Sequence, residues 1–136
     1  MFYTCSAAWP HLIARGGGSI INTASICGVS ALPQTPGSIA HATTKGGVIA
    51  MTRELALEGG PHNIRANSIS PGIIDTPATA PALAQGSFRE NHLASLMLKR
   101  IGTPQDVAAA ALFLACDESS WMTGANLLVD GGFAAR

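Results

Sequence analysis

The sequence predicts an α/β fold around a small parallel sheet of about three strands. Three observations carry this reading. Short β-branched runs alternate with longer segments whose apolar residues recur at helical spacing, and strands separated by helices pair in parallel through right-handed crossovers. Glycine and proline clusters punctuate the boundaries. Hydrophobic residues make up 47% of the 136 positions and charged residues only 12%, a balance that asks for apolar surface to be covered on both faces of a sheet. A chain of this length holds at most one domain.

Residues 2–15 read as a helix, with Phe2, Ala8, Trp9, Leu12 and Ile13 on one face. Pro10 should kink it or fray its end, and Gly16-Gly17-Gly18 stops it. Residues 19–23, closing on Ser25, form a short buried strand. Residues 28–37, with Pro33 and Pro36, form a loop. A long helix over 38–59 ends at Gly59-Gly60-Pro61. Residues 64–69 form a second strand that Pro71-Gly72 breaks. Residues 73–100 are irregular, with Pro77 and Pro81, apart from a helix at 87–99. Thr103 caps a further helix, with Pro104 at its first position and Gln105-Asp106 in its first turn. That helix carries the longest apolar run, Val107 to Cys116, and reads as a core helix. Residues 125–129 form the third strand, closed by Asp130-Gly131-Gly132. Asn22 and Asn67 are expected to be structural, tying strand ends together.

Composition narrows the function classes. The formal net charge is zero and no basic block stands out, which argues against nucleic-acid binding through phosphate neutralisation. No apolar run approaches the roughly 18 residues of a membrane span, and residues 1–4 lack the features of a secretory signal. Cys5, Cys27 and Cys116 have neither metal-ligand spacing nor an even count. They read as small buried residues in a reducing cytoplasm. His11, His62 and His92 are too dispersed for a metal site.

The chemistry-bearing residues form an ordered set. Ser25 stands at a strand's C-terminal end, where open α/β sheets place their sites. His41 and Lys45 lie four residues apart on one helix face. Pro71-Gly72 end the next strand, and Ile74 and Thr76 follow. The segments Gly18–Ser25, His41–Gly47, Asn63–Gly72, Arg100–Ala108 and Thr123-Gly124 with Val129–Gly132 resemble, in order, motifs of the short-chain dehydrogenase/reductase family. Each alone is weak, and the ordered set is specific.

The resemblance implies a doubly wound, Rossmann-like parallel sheet. It implies NAD or NADP as cofactor, a small-molecule alcohol/carbonyl substrate, and a homo-oligomer through the helices at 2–15 and 38–59. Ser25 would orient the substrate oxygen, and Lys45 would hold the ribose and tune the acid/base. His41 stands where the family has its catalytic tyrosine and would be a neutral proton acceptor, suited to alcohol oxidation. Ser25 precedes His41 by sixteen residues, where the family more often has about thirteen. The loop at 28–37 absorbs the difference, with Ser30 and Ser38 as rival serines. Pro71 and Gly72 would begin the loop beneath the nicotinamide, Ile74 would offer its backbone to the carboxamide, and Thr76 would offer a hydroxyl. Phe88, Leu93, Leu96 and Met97 would either wall an apolar substrate or form the buried stripe of a helix. The family's glycine-rich turn between strand and helix has no counterpart, since Gly16-Gly17-Gly18 precedes a strand. On the resemblance, residues 1–136 are one partial domain, the C-terminal half of the family fold, and the first strand would present an uncovered edge. The competing reading is a catalytically inactive fragment or pseudo-enzyme that only binds or oligomerises.

Overall fold

The computed structural model describes residues 1–33 and 37–135. Pro36, assigned above to a loop, lies outside the described residues. The element order is α1 (Phe2–Ala14), β1 (Gly18–Thr23), α2 (Ile39–Gly59), β2 (Ile64–Pro71), α3 (Ala80–Leu83), α4 (Gly86–Ser95), α5 (Pro104–Ala115) and β3 (Asn126–Val129), with four short 3-10 turns between or after them. The strands form one parallel sheet in the order β1-β2-β3. Gly18 pairs with Ile64 and Thr23 with Ile69 on one side of β2, and Ser68 with Asn126 and Pro71 with Val129 on the other. All three strands therefore end at one edge of the sheet.

The centre of the molecule is β2. Ile64, Ala66, Asn67, Ser68, Ile69 and Ser70 are all buried. The two asparagines have the structural roles expected of them. Asn67 donates from Nδ2 to the Met122 carbonyl at 2.8 Å and accepts the Ala125 N–H at 3.0 Å. Asn22 donates to Thr52 Oγ1 at 3.0 Å, fastening β1 to α2. Every polar atom so placed is satisfied, as burial in a low-dielectric interior requires. The triglycine that stops α1 also has a packing reason: a Cβ on Gly17, whose φ is +137°, would lie 2.6 Å from the Asn63 carbonyl oxygen.

Several expectations are corrected. Pro10 does not interrupt α1, which continues through it to Ala14. Pro10 and Ser6 both face solvent, so water can take the Ser6 carbonyl that loses its helical donor. The apolar face of α1 is only partly covered, for Cys5 is its one buried residue and Phe2 remains 64% exposed. α5 buries Leu114 but leaves Leu112 and Phe113 exposed, so its apolar run covers the sheet with one face. Cys27 and Cys116 are only half-buried. β2 continues through Pro71 because the ladder to β3 asks no donor of residue 71: Ser68 and Gly72 donate to the Ala125 and Val129 carbonyls at 2.8 and 3.0 Å, while the pairing with β1 has already ended at Thr23 and Ile69. Residues 80–83 are helical where an irregular stretch was expected, with Pro81 in the first turn, where a missing N–H costs nothing. α4 stops at Ser95 rather than 99, because the Met97 and Leu98 N–H groups both bond the Gly131 carbonyl at 3.0 Å.

Candidate active site

The site assembles at the C-terminal edge of the sheet. Ser25 follows β1 in extended conformation and caps the 3-10 turn Ile26–Gly28, its Oγ accepting the Cys27 N–H at 3.2 Å. One accepted bond leaves the hydroxyl its own proton and a further lone pair. That turn packs directly on α2: a Cβ at Gly28 would lie 2.8 Å from the Lys45 carbonyl carbon and 2.9 Å from the Gly46 nitrogen. Only glycine permits this approach, so Gly28 sets the distance between the Ser25 turn and the helix carrying Lys45. Sequence reading passed over it, although a glycine three residues after the serine was the available signal.

Lys45 Nζ donates to the Thr23 carbonyl at 2.8 Å, at the tip of β1. An ammonium has three donors, so two remain for a ligand. His41, one helical turn earlier, is exposed and makes no side-chain hydrogen bond among the described residues. The structure thus brings Lys45 to the strand end that carries Ser25, and leaves His41 on the same helix face with nothing fixing its ring. The rival serines Ser30 and Ser38 line a separate cleft of about 410 Å³ between the turn and the start of α2.

The loop after β2 completes the edge. Gly72 packs closely on the residue after β3, where a Cβ would stand 3.0 Å from Asp130 Cα. Ile74 bridges to Gly102, and the Asp75 N–H bonds the Gly102 carbonyl at 2.8 Å. Thr79, unremarked in the sequence, clamps the loop: its hydroxyl binds the Ile74 carbonyl, and its oxygen takes the Thr76 N–H at 3.0 Å and lies 3.0 Å from Thr76 Oγ1. Because the Thr79 proton goes to Ile74, the proton between the two hydroxyls belongs to Thr76, whose oxygen keeps free lone pairs. The Ile74 N–H has no partner among the described residues. A free donor at Ile74 and a free acceptor at Thr76, two residues apart, match the C=O and NH₂ of a primary carboxamide. The nicotinamide end of a dinucleotide therefore fits these residues.

The loop is held from below by the start of α5. The Thr103 N–H and hydroxyl bond Asp106 Oδ2 at 2.7 and 2.9 Å, and Arg100 grips the same carboxylate at 2.7 Å through both terminal nitrogens. The Arg100 guanidinium, then the Thr103 N–H, hold the Asp106 carboxyl well below the usual carboxylate range. In the 77–100 segment, Leu96 is buried with Ile26 and Phe133, and Leu93 packs against them. These two belong to the apolar cluster at the end of α4, while Met97 is 54% exposed and Phe88 stacks on His92.

Comparison with known proteins agrees with this geometry. A family model described as enoyl-(acyl carrier protein) reductase matches residues 1–134. The chain is 38% identical over 135 residues to 2-(R)-hydroxypropyl-CoM dehydrogenase of Xanthobacter autotrophicus, covering 99% of this chain and 53% of that protein. It is 44% identical over 132 residues to the 3-oxoacyl-(acyl-carrier-protein) reductase FabG of Chlamydia pneumoniae, covering 97% and 51%. A gluconate 5-dehydrogenase from Burkholderia cenocepacia, solved with NADP and tartrate, superposes with a TM-score of 0.92 at 30% identity, over 99% of this chain and 52% of that one. The chain spans about half the length of the curated relatives it matches. With the ordered motifs, the parallel sheet and these matches in agreement, the chain belongs to the short-chain dehydrogenase/reductase family of oxidoreductases.

Proposed function

We propose that this chain carries the nicotinamide-side site of an NAD- or NADP-dependent oxidoreductase acting on a small alcohol/carbonyl pair. The observation that carries it is the free Ile74 N–H beside the Thr76 hydroxyl, at the strand edge where Lys45 and Ser25 also stand. When bound, the cofactor supplies or accepts a hydride. Ile74 and Thr76 orient the carboxamide, Pro71 and Gly72 begin the loop that carries them, and two Lys45 protons hold ribose hydroxyls. Ser25 donates to the substrate oxygen. In alcohol oxidation His41 takes the hydroxyl proton on a ring nitrogen, and in carbonyl reduction it returns one. The pyrophosphate-cradling turn would come from chain beyond these residues, making 1–136 a partial domain. Homo-oligomerisation through α1 and α2 would cover Phe2, Tyr3 and Leu57, which are 64%, 85% and 74% exposed. Free cysteines suit a cytoplasmic setting.

The test is fluorescence titration with NADH and NADPH. Binding that Lys45→Met weakens at least about tenfold, the scale of a lost charge-assisted hydrogen bond, supports the site; unchanged binding overturns it. On a cofactor-binding sample, His41→Tyr should raise turnover, and an inert variant would remove His41 from the chemistry. The second reading, a binding or oligomerising chain without catalysis, is favoured by one observation: His41 is exposed and, among the described residues, no hydrogen bond holds its ring in place for proton transfer.

A further inference from the structure

His92 is the odd residue of the fold. It is a histidine of α4, 7% exposed, and its Nε2 is buried with no hydrogen-bond partner. Its ring is the middle of an aromatic stack. Phe88 lies on one side at 6.3 Å and 9° between planes, and Phe133 on another at 6.0 Å and 29°. Phe133 belongs to the C-terminal tail and shares a buried cluster with Leu96 and with Ile26, the residue after Ser25. The imidazole therefore stands between α4 and the tail, against the Phe133 ring that also packs on Ile26 of the Ser25 turn.

A neutral ring suits this slot, and an imidazolium does not. Protonation puts a full charge into a buried slot whose described lining offers no carboxylate to balance it. The cleft beside His92 is lined by Leu32, Pro33, Phe88, Asn91, Ser95 and Phe133, none of which titrates. On α4 itself Arg89 and Glu90 are exposed. From the tail, Asp130 has its two oxygens on the Gly132 and Ala134 N–H groups, each at 2.9 Å. The Ser25 turn brings no charged residue. Burial accordingly holds the imidazole below the ordinary histidine range.

We propose that His92 is a pH-sensitive pin: neutral, it locks α4 to the tail and to the Ser25 turn; protonated, it leaves the aromatic slot and α4 opens. The mechanism is linkage. The open form binds the proton more tightly than the closed form, so falling pH shifts the population toward the open one. The inference does not depend on the chemistry proposed for His41 and Lys45.

Hydrogen exchange by mass spectrometry at about pH 7.5 and about pH 5, corrected for intrinsic rates, tests it on the full chain. Protection of residues 86–95, relative to 64–71, should fall by about an order of magnitude at the lower pH. His92→Phe keeps a ring in the stack but cannot titrate, and should abolish the fall. Equal protection at both pH values in the wild type, or the same fall in His92→Phe, overturns the proposal. Should His92→Phe not fold, the wild type still decides. The midpoint of α4 opening must coincide with titration of the His92 ring followed by NMR, and a midpoint elsewhere overturns the pin.

Discussion

β1 and β2 are neighbours in one sheet and are built differently. β2 is paired on both sides and six of its eight residues are buried. Among the described residues β1 is paired on one side only, and of its six residues just Asn22 is buried. Beside its free edge a groove of about 470 Å³ opens between β1 and α1, lined by Met1, Thr4, Cys5, Ala8, Ile20, Ile21 and Asn22. The same β-branched, apolar kind of sequence thus gives a finished strand in one place and a half-covered one in the other. Burial belongs to the neighbours of a strand, not to the strand's residues.

The contrast can be broken or sharpened by mutation. The largest effect is expected in β2. Ile69→Ala removes a side chain that is 2% exposed and should cost about 2–5 kcal/mol in urea unfolding. The matching Ile20→Ala in β1 should cost well under half of that, because its site is half-buried and opens on the groove. Equal costs would refute the comparison. Gly28→Ala comes next. It forces the Ser25 turn off the backbone of α2 and should destabilise by about 1–3 kcal/mol, the usual penalty of overpacking, with NMR shifts concentrated at residues 25–30 and 44–49. Asn22→Ala should cost about 1–2 kcal/mol by orphaning the Thr52 hydroxyl as an acceptor.

The smallest effects are those of pH, and their sign is fixed. The folded chain binds a proton at His92 less readily than the unfolded chain, so that stability is complete above the ordinary histidine value near 6.5 and is lost as pH falls through it. Asp106 acts in the same direction in a lower window. Its carboxyl is held down by Arg100 and Thr103, so its contribution is present above the ordinary carboxylate value near 4 and is lost as pH falls below it. Melting temperatures of the wild type, His92→Phe and Asp106→Asn across about pH 8 to 3 should show the upper step missing in the first variant and the lower one reduced in the second. A stability that rises on acidification would contradict both assignments.

Much of the site was legible because its residues obey local rules. Ser25 ends a β-branched run, Lys45 follows His41 by one helical turn, and Thr103-Pro104 with Asp106 write a helix start that the structure realises with four hydrogen bonds on one carboxylate. The clamp of Thr79 on Ile74 and Thr76 was not legible, because its value lies in which proton is already used and which N–H is left over. His92 was dismissed by its spacing to other histidines. What distinguishes it is an aromatic from a segment some forty residues downstream.

The sequence by itself determined the three strands and their order, the parallel pairing, the helix limits at glycine and proline, and the placing of Ser25, Lys45 and Ile74 at one sheet edge. Periodicity, turn chemistry and crossover handedness act over a few residues or on whole elements, and both are written in the chain. The tertiary structure alone decided how far β2 runs past Pro71, where α4 stops, which face of α1 stays bare, and which polar groups remain free. Each of these depends on a partner brought close by folding: Val129 for Gly72, Gly131 for Met97 and Leu98, Phe133 for His92. Hydrogen-bond satisfaction and burial are properties of pairs, and the pairs do not exist until the chain has folded.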